Sequence, residues 1–162
     1  MPIGEEIRFD APDNLCFGCS PHNERGLQLV FTQVGPSRVE VGYTAPDHTC
    51  GAPGVIHGGI QAALLDEAIG FAVFAHDQSA AEPGTVGGTA VRRDVVTVEF
   101  DLRYRRPAPV GVELTLRAEV VHVSGKDYLA IGEIVDRDGT LLTSATAKWR
   151  RVGRRRVVSK GP

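Results

Sequence analysis

The sequence predicts an α+β fold in which one long helix is enclosed by a curved, mostly antiparallel sheet of five to six strands. Three observations lead there. Gly58 to His76 contains no proline, is rich in helix formers and is apolar on nearly every face, the pattern of a helix surrounded by protein rather than lying on a surface. In Thr97 to Tyr104 (TVEFDLRY), Val98, Phe100, Leu102 and Tyr104 alternate with Thr97, Glu99, Asp101 and Arg103, a period of two that predicts a strand with one buried face. The order is two β-rich runs, the helix, then four more β-rich runs, which a helix enclosed by an antiparallel sheet satisfies.

Taken along the chain, residues 1–26 are irregular, with Pro2, Pro12, Pro21 and several glycines, and read as an arm leading into the domain. Leu27 to Val34 and Arg38 to Thr44 are β-rich runs separated by the turn signal Gly35-Pro36-Ser37. Asp47 to Gly54 is a loop, followed by the helix. Asp77 to Arg93 is rich in Gly and Ala and reads as a long loop, of the kind that serves as a lid or a plain connection. Val112 to Val123 and Tyr128 to Val135 are strands joined around Ser124-Gly125-Lys126-Asp127, and Asp138-Gly139 is a hairpin signal leading into Leu141 to Arg150. The division expected is an arm over 1–26, a domain over 27–150 and a polar, basic tail over 151–162.

Composition narrows the function. The 162 residues fit one domain, and 42% hydrophobic with 23% charged residues is an ordinary globular balance. A net charge of -2 argues against a dedicated nucleic-acid binder. The most apolar stretch, Val55 to Ala75, is interrupted by Gln61, Asp66 and Glu67, which fits a buried helix better than a membrane span. Met1 to Asp10 lacks the apolar core of a secretory signal, and three Cys do not make a disulfide framework. The expectation is a cytoplasmic protein with neither nucleic-acid nor membrane partners. Because a sheet covers only one side of such a helix, a second copy of the chain is expected over the other side, making a homodimer, with pairing into a tetramer left open.

The chemistry concentrates where loop becomes helix. His57-Gly58-Gly59 stands at the helix start, where the first N–H groups lack internal partners and the helix dipole is positive. Glycine there admits a ligand close to the backbone, so the Gly58 N–H can stabilise a developing oxyanion. The plainer reading is that the glycines make the turn. Asp66 and Glu67 lie inside the apolar helix, and carboxylates are rarely buried without a partner or a role. Periodicity does not choose between them, and an ion pair with a strand arginine is the alternative for either.

The HGG at residues 57–59, the acid nine residues after the His, and the β pattern that follows resemble the hotdog thioesterase superfamily, in particular its PaaI-like and 4-hydroxybenzoyl-CoA thioesterase branch, over roughly residues 27–150. Cys16-Phe17-Gly18-Cys19, with Asn23 and Gly26-Leu27, also resembles an N-terminal motif of members of this group. The resemblance implies hydrolysis of an acyl-CoA thioester by water, with Asp66 as general base or nucleophile, Gly58 and His57 at the carbonyl and Thr97 orienting water or the carboxylate. It implies no metal and no cofactor beyond the CoA carried by the substrate. Relatives often carry Asn or Gln six residues before the His, where this chain has Gly51. An acyl-CoA hydratase or dehydratase and a non-catalytic acyl-CoA-binding protein are the competing functions. The first usually pairs Asp with His in a different motif.

Gly59 and Glu67 complete the expected substrate-binding set, with Arg103, Arg105, Arg106 and Lys126 as candidate contacts to the phosphates of CoA. Solvated charge is the alternative for these basic residues. Phe71, Phe74 and the 77–93 loop are expected walls of the acyl pocket. Gly58 and Asp66 are eight residues apart, about 12 Å along a helix at 1.5 Å per residue. One chain cannot easily bring both to a single carbon, so composite sites in the dimer are expected. Cys16, Cys19 and His22 have ligand-like spacing, and Cys50 or His48 would complete a tetrahedral set; packed thiols are the simpler account.

Overall fold

The computed structural model describes residues 3–80 and 95–152. Its elements are β1 (Glu6–Ile7), β2 (Phe31–Gly35), β3 (Arg38–Thr44), α1 (Gly58–Ala80), β4 (Val95–Tyr104), β5 (Glu113–Ser124), β6 (Asp127–Val135) and β7 (Leu141–Arg151). They form one seven-stranded sheet in the order β1-β2-β3-β5-β6-β7-β4, with antiparallel pairing throughout. The sheet curves round α1, which contacts β2 to β7. The expected six strands are present, and the two-residue β1 adds a seventh at the edge beside β2.

Helix α1 is the centre of the core. Leu64, Leu65, Ala68, Ile69, Phe71, Ala72, Val73 and Ala75 are all fully buried. By length and composition it would pass for a membrane span, yet 67% of its most apolar window is buried within the protein's own fold. Where α1 crosses β7 the indole of Trp149 lies against the helix backbone at Gly70. A Cβ there would lie 2.7 Å from Cη2 of Trp149, so the helix tolerates glycine, at some cost in propensity, in order to seat the indole.

Polar side chains tie the helix to the sheet at both ends. Buried Gln61 donates to the Ile56 carbonyl at 2.8 Å and accepts from Thr143 Oγ1 at 2.5 Å. Further along, Tyr128 Oη donates to Asp77 Oδ1 at 2.8 Å, and Arg151 pairs with the same carboxylate at 2.7 Å while donating to the Tyr128 hydroxyl. Burial, followed by this bond to Asp77, pushes the Tyr128 phenol above its ordinary pKa. These contacts correct the expected loop. Asp77 to Ala80 are the last turn of α1, made helical by packing of the Asp77 side chain that composition does not disclose; residues 81–93 of the expected lid lie outside the described residues.

Two further expectations change. The arm is part of the core rather than a lead into it: Ile7, Phe9, Cys19 and Leu29 are buried. Phe9 stacks at 5.0 Å on Phe71 and 4.9 Å on Phe74, and Phe31 lies 4.6 Å from Phe71. Phe71 and Phe74 therefore belong to an aromatic cluster beneath the arm, not to the wall of a pocket beside Asp66. Leu27 to Val30 precede the strand, which begins at Phe31.

The second change concerns β4. Its register on β7 slips between Thr97 and Glu99, so Val98 is an extra residue in the strand. Such a bulge reverses the parity of facing side chains. Val96 and Val98 are exposed, by 42% and 44%, whereas Val95 is buried and Thr97 turns to the helix. The single buried face read from Val98 to Tyr104 holds only at Phe100 and Leu102, which pack against the core. Replacing Gly70 with Val should destabilise the fold by about 1–3 kcal/mol through overpacking against Trp149. It would appear as a lower urea midpoint at unchanged slope, with the loss partly recovered in Gly70→Val/Trp149→Phe.

Candidate active site

The loop before α1 is held by backbone bonds from His57 N to Thr49 O at 2.8 Å, Ile56 N to Ala108 O at 2.8 Å and Gly51 N to Val55 O at 2.9 Å. His57 caps the helix. Its carbonyl accepts from Ile60 N at 2.9 Å and Gln61 N at 3.1 Å, and its ring Nδ1 accepts the Gly59 N–H at 2.9 Å. With Nδ1 accepting, a neutral ring carries its proton on Nε2. Among the described residues the Gly58 N–H meets no acceptor, so a donor at the positive end of a 23-residue helix is left for a ligand. Gly51 lies against this tip: a Cβ on it would sit 3.0 Å from His57 Cα and 3.2 Å from His57 Cδ2.

Asp66 is half-buried and accepts a hydrogen bond from Thr97 Oγ1 at 2.7 Å. The bulge at Val98 makes this contact possible by turning Thr97 inward. At the other end of β4, Tyr104 Oη donates to the Gly58 carbonyl at 2.9 Å. One strand thus touches both the helix tip and the acid. Between them Gly59, Ala62, Ala63 and Asp66, at helical spacing of three and four, form a stripe of α1 that a single chain leaves partly open. Beside it β4 is the sheet edge, with Val96, Val98 and Tyr104 exposed.

The other sequence-predicted residues separate into two groups. Arg103, Arg105 and Arg106 follow β4 to the Gly58 end and are exposed; Arg103 reaches Asp101 at 3.4 Å and Arg105 reaches Ser144 at 3.2 Å. Lys126 belongs to the opposite end of the sheet, where its carbonyl accepts from Arg151 N and Arg151 pairs with Val95. Within one chain it does not meet the helix tip. Nor does Glu67 meet Asp66. Successive helix residues project about 100° apart, from 3.6 residues per turn, and Glu67 turns under the arm, where Cys16 Sγ donates to its Oε1 at 3.2 Å. Within one chain Glu67 therefore lies beneath the arm rather than on the stripe that carries Asp66.

A cavity of about 560 Å³ adjoins the helix tip, lined by His57 and Ile60 together with Phe17, Arg25, Tyr43 and His48. Burial raises the Tyr43 phenol pKa, so its hydroxyl stays protonated and able to donate. Arg25 and Tyr43 were not singled out from the sequence, and His48 was considered only as a metal ligand. The available signal was the Asn23 and Gly26-Leu27 motif, whose purpose is now visible: Gly26 N donates to Asn23 O at 2.9 Å and Leu27 N to Phe17 O at 2.7 Å, folding the arm beside His57.

Residues 53–143 match the family model of the Thioesterase superfamily, and the chain belongs to that family, with the hotdog fold. A solved thioesterase superfamily protein superposes with a TM-score of 0.67 at 26% identity over 80% of this chain; the chain spans 59% of that protein. A putative thioesterase from Ralstonia eutropha JMP134, described as phenylacetic acid degradation-related, gives a TM-score of 0.60 at 27% identity, covering 76% of this chain and 85% of its own. A hypothetical thioesterase from Streptococcus pneumoniae TIGR4, solved with coenzyme A, gives 0.62 at 20% identity, covering 77% and 86%. The curated proteins contain no match.

The cap geometry has a direct test. Nitrogen-15 NMR of the imidazole should show neutral His57 protonated at Nε2, with Nδ1 as acceptor. The opposite tautomer would mean that the bond from Gly59 is absent and that the helix tip is organised differently.

Proposed function

We propose that this protein hydrolyses an acyl-CoA thioester to a carboxylic acid and CoA, with Asp66 as general base or nucleophile and the Gly58 N–H as oxyanion donor. The observation that carries the reading is the Thr97-to-Asp66 hydrogen bond of 2.7 Å, beside a stripe of α1 that the described residues leave partly open. Family membership supports thioester hydrolysis in general. The coenzyme A in a structural neighbour supports a CoA derivative as ligand.

In the general-base version, Asp66 takes a proton from water as the water oxygen attacks the thioester carbon. The carbonyl oxygen gains charge against the Gly58 N–H at the helix tip, where a fixed donor needs no reorganisation. The C–S bond then breaks, and the CoA sulfur recovers the proton from Asp66. In the nucleophilic version an Asp66 oxygen attacks first, CoA departs, and water cleaves the resulting anhydride. Thr97 holds the carboxylate in either case. Arg103, Arg105 and Arg106, at the Gly58 end of β4, suit the CoA phosphates, and Arg25 on the cavity wall joins them as a candidate.

The two catalytic groups belong to different copies of the chain in this proposal. They are separated by about 12 Å along one helix, and among the described residues β4 is the outer strand of the sheet, with Val96 and Val98 exposed beside the partly open stripe. A second β4 along that edge would cover the valines and bring another chain's Gly58 towards Asp66. Edges of this kind are usually paired or blocked in native proteins.

Assaying CoA release from a panel of acyl-CoAs with a thiol reagent tests the activity. Asp66→Asn should lose at least about 10²–10⁴-fold in kcat. Thr97→Val should lose about 10–100-fold, since a hydrogen bond to a charged group is worth about 1.5–3 kcal/mol, with KM nearly unchanged. Undiminished turnover in Asp66→Asn sinks the proposal, and water addition to an enoyl-CoA would redirect it to a hydratase. Mixing Asp66→Ala chains with chains disrupted at Gly58 should restore one working site per mixed dimer; no recovery, with mixed dimers shown to form, rules out shared sites.

A further inference from the structure

The cluster beneath the arm is not used by the hydrolysis proposed above. The Sγ atoms of Cys16 and Cys19 and a carboxylate oxygen of Glu67 all lie within 4.8 Å of one another. They come from two segments about fifty residues apart, a short loop and the central helix. We propose that Cys16, Cys19 and Glu67 bind a divalent cation of zinc type, which clamps the N-terminal arm onto α1.

The distances suit such an ion. Zinc–sulfur bonds of about 2.3 Å and zinc–oxygen bonds of about 2.0–2.2 Å make the sulfur–oxygen edge of a tetrahedron about 3.6 Å. Cys16 Sγ and Glu67 Oε1 stand at 3.2 Å, so a few tenths of an ångström of expansion admits the cation. The donor set favours zinc over magnesium or calcium, because two thiolates are soft ligands and hard cations prefer all-oxygen shells. A fourth position remains for water or another donor. Cys19 is buried and Glu67 only 9% exposed, while Cys16 is half-buried and gives the ion a way in.

The loop is shaped around the carboxylate. A Cβ on Gly18, between the two cysteines, would overlap the Cγ, Cδ and Oε1 atoms of Glu67, so only glycine lets the backbone pass so near. The rest of the loop is pinned. Ser20 N donates to Cys16 O at 3.2 Å, Leu29 N to Gly18 O at 2.9 Å, and Cys16 N to Asn14 Oδ1 at 3.1 Å. With its backbone engaged elsewhere, the loop turns both sulfurs towards Glu67.

Cys16, Cys19 and Glu67 already face one another at this depth. A cation converts the same three groups into strong ligands. The arm, already packed into the core through Ile7, Phe9 and Leu29, has only turns and irregular backbone between β1 and β2, where a cross-link would add a further anchor. Coordination supplies one directly, because metal-binding free energy is then folding free energy. His22, Cys50 and His48, the partners suggested by spacing, stand apart: His22 pairs with Asp10 at 3.0 Å, and the other two line the cavity at the helix tip.

The test uses the full chain, purified under reductant and loaded with zinc or, as a spectroscopic probe, cobalt(II). About one metal per chain is expected by elemental analysis, with a sulfur-to-cobalt charge-transfer band and tetrahedral d–d absorption. Cys16→Ser, Cys19→Ser and the isosteric Glu67→Gln should each weaken binding by at least the ~10–100-fold that follows loss of a supporting group. Zinc should raise the Tm of the wild type but not of Cys16→Ser. Asp66→Asn should bind zinc normally, which keeps this result independent of the hydrolysis reading. Substoichiometric metal without a thiolate band overturns the proposal. So does unchanged binding in the cysteine variants, or a Cys16–Cys19 disulfide that forms in preference to metal uptake.

Discussion

A helix with apolar side chains on almost every face cannot remain in water, and the architecture follows from finding cover for α1. Fully burying one large aliphatic or aromatic side chain is worth about 1.5–3 kcal/mol, and α1 buries Leu64, Leu65, Ile69, Phe71, Val73 and Phe74. The sheet provides most of the cover. The arm provides another part through Phe9 and the loop around Gly18. What remains is the stripe from Gly59 to Asp66, where the residues are small or acidic, and that remnant is where the candidate chemistry sits.

The same requirement explains why polar groups on the helix are so differently treated. Gln61 and Asp77 bond within the fold and fasten α1 to β6 and β7. Glu67 is enclosed by the arm. Asp66 alone among the helix carboxylates faces the partly open side, steadied by a hydroxyl from the edge strand. Adjacent acids on one helix have thus been given separate surroundings, one on the partly open side of α1 and one beneath the arm.

Much of this was legible from residues alone. The all-round apolar helix and the order of β runs led to the enclosed-helix architecture, while Asp66 was preferred to Glu67 as the candidate acid only through the family resemblance that HGG carries. What escaped had physical causes. The bulge at Val98 carries no Gly or Pro to announce it, so the alternation of TVEFDLRY concealed the inward turn of Thr97; that residue was found through family resemblance instead. The arm lacks regular periodicity, and its burial depends on Phe9 meeting Phe71 and Phe74 across the fold. Composition shows flexible-looking residues at Asp77 to Ala80, but the network of Asp77, Tyr128 and Arg151 keeps them helical. Glu67 beside the cysteines is a purely tertiary juxtaposition, invisible to spacing rules that count along the chain.

Strand β4 spans the distance between the helix tip and the acid, with Tyr104 fastened at one end and Thr97 at the other. It acts as a strut whose length is independent of the arm. Residues of the arm and its neighbouring loops, such as Phe17, Arg25 and His48, form the adjoining cavity without being part of that strut. The cavity wall can therefore be remodelled in lineages carrying this fold while Thr97 keeps its hold on Asp66 and Tyr104 its hold on the helix tip.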